Sequence, residues 1–289
     1  MAKGLRFPPA LFRPRASSEA GQMLINVLYR GLVDYEAALQ LQRALVELRK
    51  QGRIADTLIL LEHPPVITLG RSAKKSNLLA SPEILAQRGV QLIECDRGGD
   101  ITFHGPGQLV GYPIFDLRGL TARSERRKTL GAVDFVRLLE EVLIRTCADF
   151  AVPAGRIPGL TGVWVEGSRG EQAKIAAIGL HISRSVTSHG FAMNVINDLD
   201  YFNLIVPCGI ASRPVTSLAR EVRDPQSLKM EQVVHAVARN FGRVFVRQML
   251  WIEDLEALMT GAGAQPCDTP LKVPAELRAV HGEDEIFLA

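Results

Sequence analysis

Strand-like segments in this chain come in runs, and that order limits its fold more than any other feature. Residues 24–28 read as a strand, and residues 57–61 and 66–69 as two more, separated by a Glu62-His63-Pro64-Pro65 corner. Residues 90–95, 101–103 and 109–115 form a second run, with a glycine-rich turn before the last of them. Residues 162–166 and 174–183 pair across the polar Gly167-Ser168-Arg169-Gly170 turn, and 191–195 and 204–206 continue the sheet. A doubly wound parallel fold needs strands that alternate with helices. The expected class is therefore α/β of the α+β type, a mixed and largely antiparallel sheet covered by helices.

The covering helices announce themselves by spacing. Ala38, Leu41, Leu45 and Leu48 recur at helical intervals within residues 34–51, and Gly52 supplies a stop. Residues 133–150 and 230–248 repeat that pattern. Ser81-Pro82-Glu83 begins a further helix with a capping hydroxyl, a proline at the first helical position and an acid in the first turn.

The 289 residues suffice for one large core, and no linker or repeat divides them. The expected layout is a tail at 1–22, a catalytic domain at 23–250 and a loosely attached extension at 251–289. A formal charge of +3 is too mild to imply nucleic acid, and no apolar run approaches the roughly 20 residues of a membrane span. Cys95, Cys147, Cys208 and Cys267 are scattered without metal-ligand spacing, so neither a zinc site nor a disulfide framework is expected. A cytoplasmic location follows. The basic first residues (Lys3, Arg6, Arg13, Arg15) faintly suggest an organellar address instead, but Pro8, Pro9 and Pro14 would break the amphipathic helix that one requires.

Two segments carry chemistry. Cys208 stands between Pro207 and Gly209, where neither a regular helix nor a central strand can continue, so its thiol is expected on a tight bend. A free cysteine is by default an inert buried group. The second segment runs from Arg97 through Gly98, Gly99, Asp100, Ile101, Thr102, Phe103 and His104 to the Gly105-Pro106-Gly107 turn. Its glycine pair lets backbone approach a bound group, although a glycine-rich hairpin has the same composition. Lys174 opens an apolar strand thinned by Ala176, Ala177 and Gly179, and Gly190 and Ala192 repeat the theme after His189. Spacing alone favours reading Lys174 as a solvated strand end.

Together these motifs resemble the octanoyltransferases, the lipoate–protein ligase B family. The resemblance spans about residues 26–245 and rests on five ordered matches: 62–70, 97–108, 174–179, 188–192 and Pro207-Cys208-Gly209-Ile210. It implies a fold like that of biotin and lipoate ligases. It also implies transfer of octanoyl or lipoyl groups from acyl carrier protein to a lysine of lipoyl domains, in 2-oxoacid dehydrogenases and the glycine cleavage H protein, with no cofactor. Cys208 falls on the family's nucleophile and Lys174 on its thiol-activating lysine. The acyl-binding segments fall on Arg97 to His104, on Ala177, Ile178 and Gly179, and on Gly190, Phe191 and Ala192. Phe103 stands where an aromatic hydroxyl is common in the family.

The implied chemistry fits the residues. Acyl transfer from a thioester to an amine is easier in two steps through an enzyme thioester. An ammonium that lowered a thiol pKa from about 8.5 to about 7 would raise the thiolate fraction about sixteen-fold at pH 7. The accompanying loss of nucleophilicity would remove about a factor of five of that gain. Lys174 is therefore expected to act chiefly as proton shuttle and orienter. Two other readings share the residues: an ATP-dependent lipoate- or biotin-type ligase, and an acyl-binding module without turnover. A basic stretch with Arg118, Arg123, Arg126, Arg127 and Lys128 suggests a dock for an acidic donor, or simply a solvated charge run.

Overall fold

The computed structural model describes residues 24–120, 130–166, 171–206 and 213–260. Eight strands form the main sheet: β1 (Leu24–Leu32), β2 (Asp56–Glu62), β6 (Gln108–Ile114), β7 (Ala154–Ile157), β8 (Leu160–Glu166), β9 (Gln172–Ser183), β10 (Val186–Asn194) and β11 (Gln248–Trp251). Their spatial order is β11-β1-β2-β6-β10-β9-β8-β7. The pairs β11–β1 and β1–β2 are parallel and the remaining five are antiparallel, so the sheet is mixed and largely antiparallel as expected. A second, small sheet joins β3 (Val66–Leu69), β4 (Gln91–Glu94) and β5 (Ile101–His104) in the order β4-β3-β5.

Asp34 caps α1 (Tyr35–Lys50) by accepting from the Glu36 and Ala37 amides at 2.9 and 3.2 Å. Ser81 likewise caps α2 (Pro82–Gln87). The longer helices α3 (Ala132–Asp149) and α5 (Met230–Phe245) lie on one face of the main sheet. Alternation along β2 divides the two faces: Leu58 and Leu60 join Phe135, Leu139, Val237 and Phe241 under those helices, whereas Ile59 and Leu61 join Ala38 and Leu45 of α1. A third cluster, with Ile67, Ile101, Phe103 and Phe202, fills the small sheet. Helices therefore cover both faces of the main sheet, which explains why central strands such as β2 read as unbroken apolar runs.

Two local expectations are corrected. Residues 204–206 are not a strand. Leu199–Leu204 wind as a 3-10 segment and Ile205 makes an isolated bridge to Leu78. The last helix ends at Phe245 rather than running to 248, because Val246 takes a left-handed conformation (φ 55°) and turns the chain into β11. The short strand β7 had no expectation at all. Trp251 pairs within β11, and α6 (Leu255–Thr260) buries Leu258 beside α1, so the chain still packs past residue 250. Between α3 and α5 lies one further short helix, α4 (Leu218–Glu221).

Candidate active site

Between the main sheet and the small one lies a cavity of about 230 Å³. Its floor is the β9–β10–β6 face, where the register sets Ala177 beside Ala192 and Gly179 beside Gly190. On β6, Val110 and Tyr112 extend that row inward, to where Tyr35 of α1 closes the cavity. Residues 97–100 form the opposite wall, and the Gly159–Thr161 turn and Lys174 form the outer end.

The structure thus brings together twelve of the fourteen expected acyl-binding residues. Gly98, Gly99, Asp100, Thr102 and His104 line the cavity with Arg97, and so do Ala177, Ile178, Gly179, Gly190, Phe191 and Ala192. Ile101 and Phe103 do not. They occupy the other side of β5, where Phe103 stacks on Tyr201 with ring centroids 4.7 Å apart. Two-residue alternation along a strand sends Thr102 and His104 to the cavity and their neighbours to the core.

Several expected binding residues are also structural ties. The Arg97 guanidinium donates to Thr68 Oγ1 from Nε (3.1 Å) and Nη2 (2.8 Å), and from Nη2 to the Thr68 carbonyl (2.7 Å). Asp100 accepts from the Lys74 and Ile101 amides at 3.0 and 2.8 Å, and from Asn77 Nδ2 at 2.5 Å. The Gly98 amide donates to the Leu180 carbonyl at 2.9 Å, so it is not available to a ligand oxygen. A side chain at Gly179 would bring its Cβ within 2.6 Å of the Gly98 carbonyl. These glycines let the two sheets touch.

The inner wall is a set of buried, neutral polar groups. His63 Nδ1 donates to the Val33 carbonyl at 2.7 Å, which leaves Nε2 to accept from the Tyr112 hydroxyl at 2.7 Å. Gln108 Nε2 donates to the Phe103 carbonyl (3.2 Å) and to Asn194 Oδ1 (2.9 Å), so its Oε1 must accept from His104 Nδ1 (2.8 Å). His104 Nε2 is then a bare acceptor on the cavity side. Burial pushes His63 down to about 4. Burial, with the charges of His63 and Arg97, pushes His104 to about 3. Desolvation raises the Tyr35 and Tyr112 phenols. At the rim, Asp96 accepts from His181 Nδ1 (2.5 Å) and His189 Nε2 (2.8 Å), and these bonds outweigh its partial burial to hold its carboxyl at about 2. Tyr35, His63, Tyr112 and Asp96 escaped the sequence reading. For Tyr112 the signal was present, since alternation from Gln108 through Val110 puts it on the cavity face.

At the outer end Lys174 is buried, with 9% of its surface exposed, and its Nζ lies over the Trp164 ring, 4.7 Å from the centroid. It makes no ion pair among the described residues. Its main chain holds the segment that follows the thiol: Lys174 N donates to the Pro214 carbonyl at 2.9 Å and Thr216 N to the Lys174 carbonyl at 3.0 Å. Cys208 itself lies outside the described residues, as do Arg123, Arg126, Arg127 and Lys128 of the basic stretch. Arg118 is committed to Asp116 through a two-pronged pair, with Nε–Oδ1 at 2.9 Å and Nη2–Oδ2 at 2.7 Å.

The model of the lipoyl protein ligase A/B catalytic domain matches residues 34–242. The chain belongs to that family. Within it, the chain is 58% identical over 265 residues to an octanoyltransferase of Koribacter versatilis, covering 92% of this chain and all of the relative. It is 60% identical over 232 residues to an octanoyltransferase of Acidobacterium capsulatum, covering 80% of this chain and 94% of the relative. Among solved structures, a bi-partite lipoate protein ligase of Thermoplasma acidophilum matches with a TM-score of 0.61 at 16% identity, over 82% of this chain and 91% of that one. A lipoate-protein ligase A bound with ATP matches with a TM-score of 0.58 at 16% identity, over 82% and 93%. These two show that the family fold is shared. No helix among the described residues is long and apolar enough to cross a membrane.

Proposed function

We propose that this protein transfers an octanoyl group from acyl carrier protein to a lysine of a lipoyl domain, through a thioester on Cys208. The observation that carries the reading is the cavity, lined by Val110, Ala177, Ile178 and Ala192 and closed at its outer end by Lys174. Lys174 also tethers Pro214, six residues after Cys208, so the thiol is at most roughly 20 Å of extended chain from that anchor. Two residues before Cys208, Val206 is tied to the Asn77 carbonyl at 2.7 Å.

In this reading the Cys208 thiolate attacks the donor's thioester carbonyl. The carbon–sulfur bond to the carrier breaks, and the departing thiolate takes a proton from Lys174. The acceptor lysine then attacks the enzyme thioester as a free amine. An amide forms, the Cys208 sulfur leaves, and the proton lost from nitrogen returns through Lys174. Lipoyl domains of 2-oxoacid dehydrogenases and the glycine cleavage H protein are the acceptors that the family relationship favours.

The test is an octanoyl-transfer assay from carrier protein to a lipoyl domain, with and without ATP. Transfer without ATP is expected. Modification that requires ATP and free octanoate would replace this reading with a ligase, and binding without transfer would replace it with an acyl-binding module.

A further inference from the structure

The segment bearing Cys208 is flanked on each side by a contact to a buried or half-buried asparagine. Asn77 lies outside the cavity, whereas Asn194 lines a small pocket beside it with Lys174, Ala177 and Ala192. Upstream, the Val206 amide donates to the Asn77 carbonyl at 2.7 Å, and Ile205 bridges Leu78. Asn77 is held in turn by its Nδ2 on Asp100 Oδ2. Downstream, Asn194 Nδ2 donates to the Thr216 carbonyl at 2.9 Å. Thr216 is pinned twice more: its amide to the Lys174 carbonyl at 3.0 Å, and its hydroxyl to Glu221 Oε1 of α4 at 2.6 Å.

The orientation of Asn194 has no alternative. Its Oδ1 already accepts from Gln108 Nε2 (2.9 Å) and Asn197 Nδ2 (3.1 Å), so only Nδ2 can face the Thr216 carbonyl. Asn194 is 4% exposed, and a buried carbonyl that loses its donor must move or remain unsatisfied. Either outcome loosens the tether between the Cys208 segment and the strand that carries Lys174.

We propose that Asn194, with Glu221 behind it, and Asn77 are positioning residues that clamp the two ends of the thiol segment and so set the approach of Cys208 to Lys174. The inference rests on Cys208 as the nucleophile. Group transfer is steep in such geometry, and a displacement of about 1 Å can cost on the order of 100-fold in rate. Glu221 lies outside both the cavity and that small pocket, so recognition of the chain should survive when its tie to Thr216 is lost.

Two substitutions on the downstream clamp test this in the full-length protein. Asn194→Asp keeps shape but sets a carboxylate oxygen against the Thr216 carbonyl. It should lower kcat for octanoyl transfer by at least about 10-fold, and it should alter the pH profile of Cys208 alkylation by iodoacetamide. Glu221→Ala removes a half-buried acceptor outside the cavity and should act in the same direction more weakly, with KM for the octanoyl donor changed less than about two-fold. Glu221→Gln keeps an oxygen acceptor and should restore turnover. If Asn194→Asp does not fold, the Glu221 pair decides. A wild-type kcat and alkylation profile in Glu221→Ala overturns the clamp, and so does a loss that Glu221→Gln fails to restore. Full transfer by Cys208→Ala would instead overturn the nucleophile assignment itself, whereas an inactive Cys208→Ala beside a normal Glu221→Ala removes the clamp alone.

Discussion

The two ends of the cavity are built on opposite principles. The inner end is a closed lattice of neutral groups, in which His63, His104, Gln108 and Tyr112 fix one another's donors and acceptors and glycines bring backbones into contact. The outer end has a buried lysine whose ammonium faces an indole rather than a carboxylate. The contrast teaches a division of labour. A rigid inner wall of neutral groups suits recognition of an inert alkyl chain, and a lysine without an ion pair among the described residues suits acid–base chemistry.

The largest expected effect tests the neutrality of the inner end. His63 and His104 have folded pKa values of about 4 and about 3 against an ordinary 6.5. Below pH 6.5 the unfolded chain takes up a proton on each ring that the folded chain refuses. Their contribution to stability is therefore complete above pH 6.5 and is lost as the pH falls. Between pH 6.5 and 5 the loss should be roughly 2 kcal/mol per ring. Urea unfolding at pH 7, 6 and 5 reads it directly, and a midpoint independent of pH would mean that the wall is not held neutral.

The glycine contacts come next. A Cβ at Gly190 would run into the Gly111 carbonyl and lie 2.6 Å from Pro113 Cδ. Because rigid backbone and ring atoms stand there, Gly190→Ala should destabilise by about 3 kcal/mol, the upper range for overpacking. Chemical denaturation checks this, and a stability loss below about 0.5 kcal/mol would show that the neighbouring strands β6 and β10 can part at no great cost.

At the outer end, Lys174→Arg keeps the charge but cannot shuttle protons. It should lower kcat for octanoyl transfer by about 100-fold, the low end for a lost acid–base group. Wild-type turnover in this variant would reduce Lys174 to an electrostatic neighbour.

The smallest effect separates lining from scaffold. Ala177 lies two residues from Gly179 on β9 and lines the same cavity, with its Cβ already accommodated. Ala177→Val should displace about two methylenes of an octanoyl chain. At about 0.8 kcal/mol each, that is roughly 15-fold in kcat/KM for octanoyl and little for butyryl donors. Gly179→Ala should impair both donors equally. Equal losses in Ala177→Val would erase the distinction.

Much of this arrangement was legible from order and spacing. The strand runs and the three long amphipathic helices needed only period-two and period-3.6 patterns, and the glycine-bearing motifs marked the cavity walls. What escaped depends on partners distant in sequence. The bonds from Arg97 to Thr68 join β3 to the loop before β5, so the residue read as a ligand-facing cation is in large part a strut. The strand β11 exists because β1, at the other end of the described chain, offers it an edge. Phe103 and His104 are adjacent in one motif yet face opposite sides, a difference that alternation sets and motif matching ignores.

The central claim is that the Cys208 thiol carries the acyl group. Incubation of the protein with octanoyl carrier protein, followed by intact-mass measurement, tests it most directly. The account predicts a single octanoyl adduct that hydroxylamine removes, that a lipoyl domain discharges, and that Cys208→Ala never forms. An adduct that persists in Cys208→Ala, or transfer that this variant performs at the wild-type rate, would contradict it.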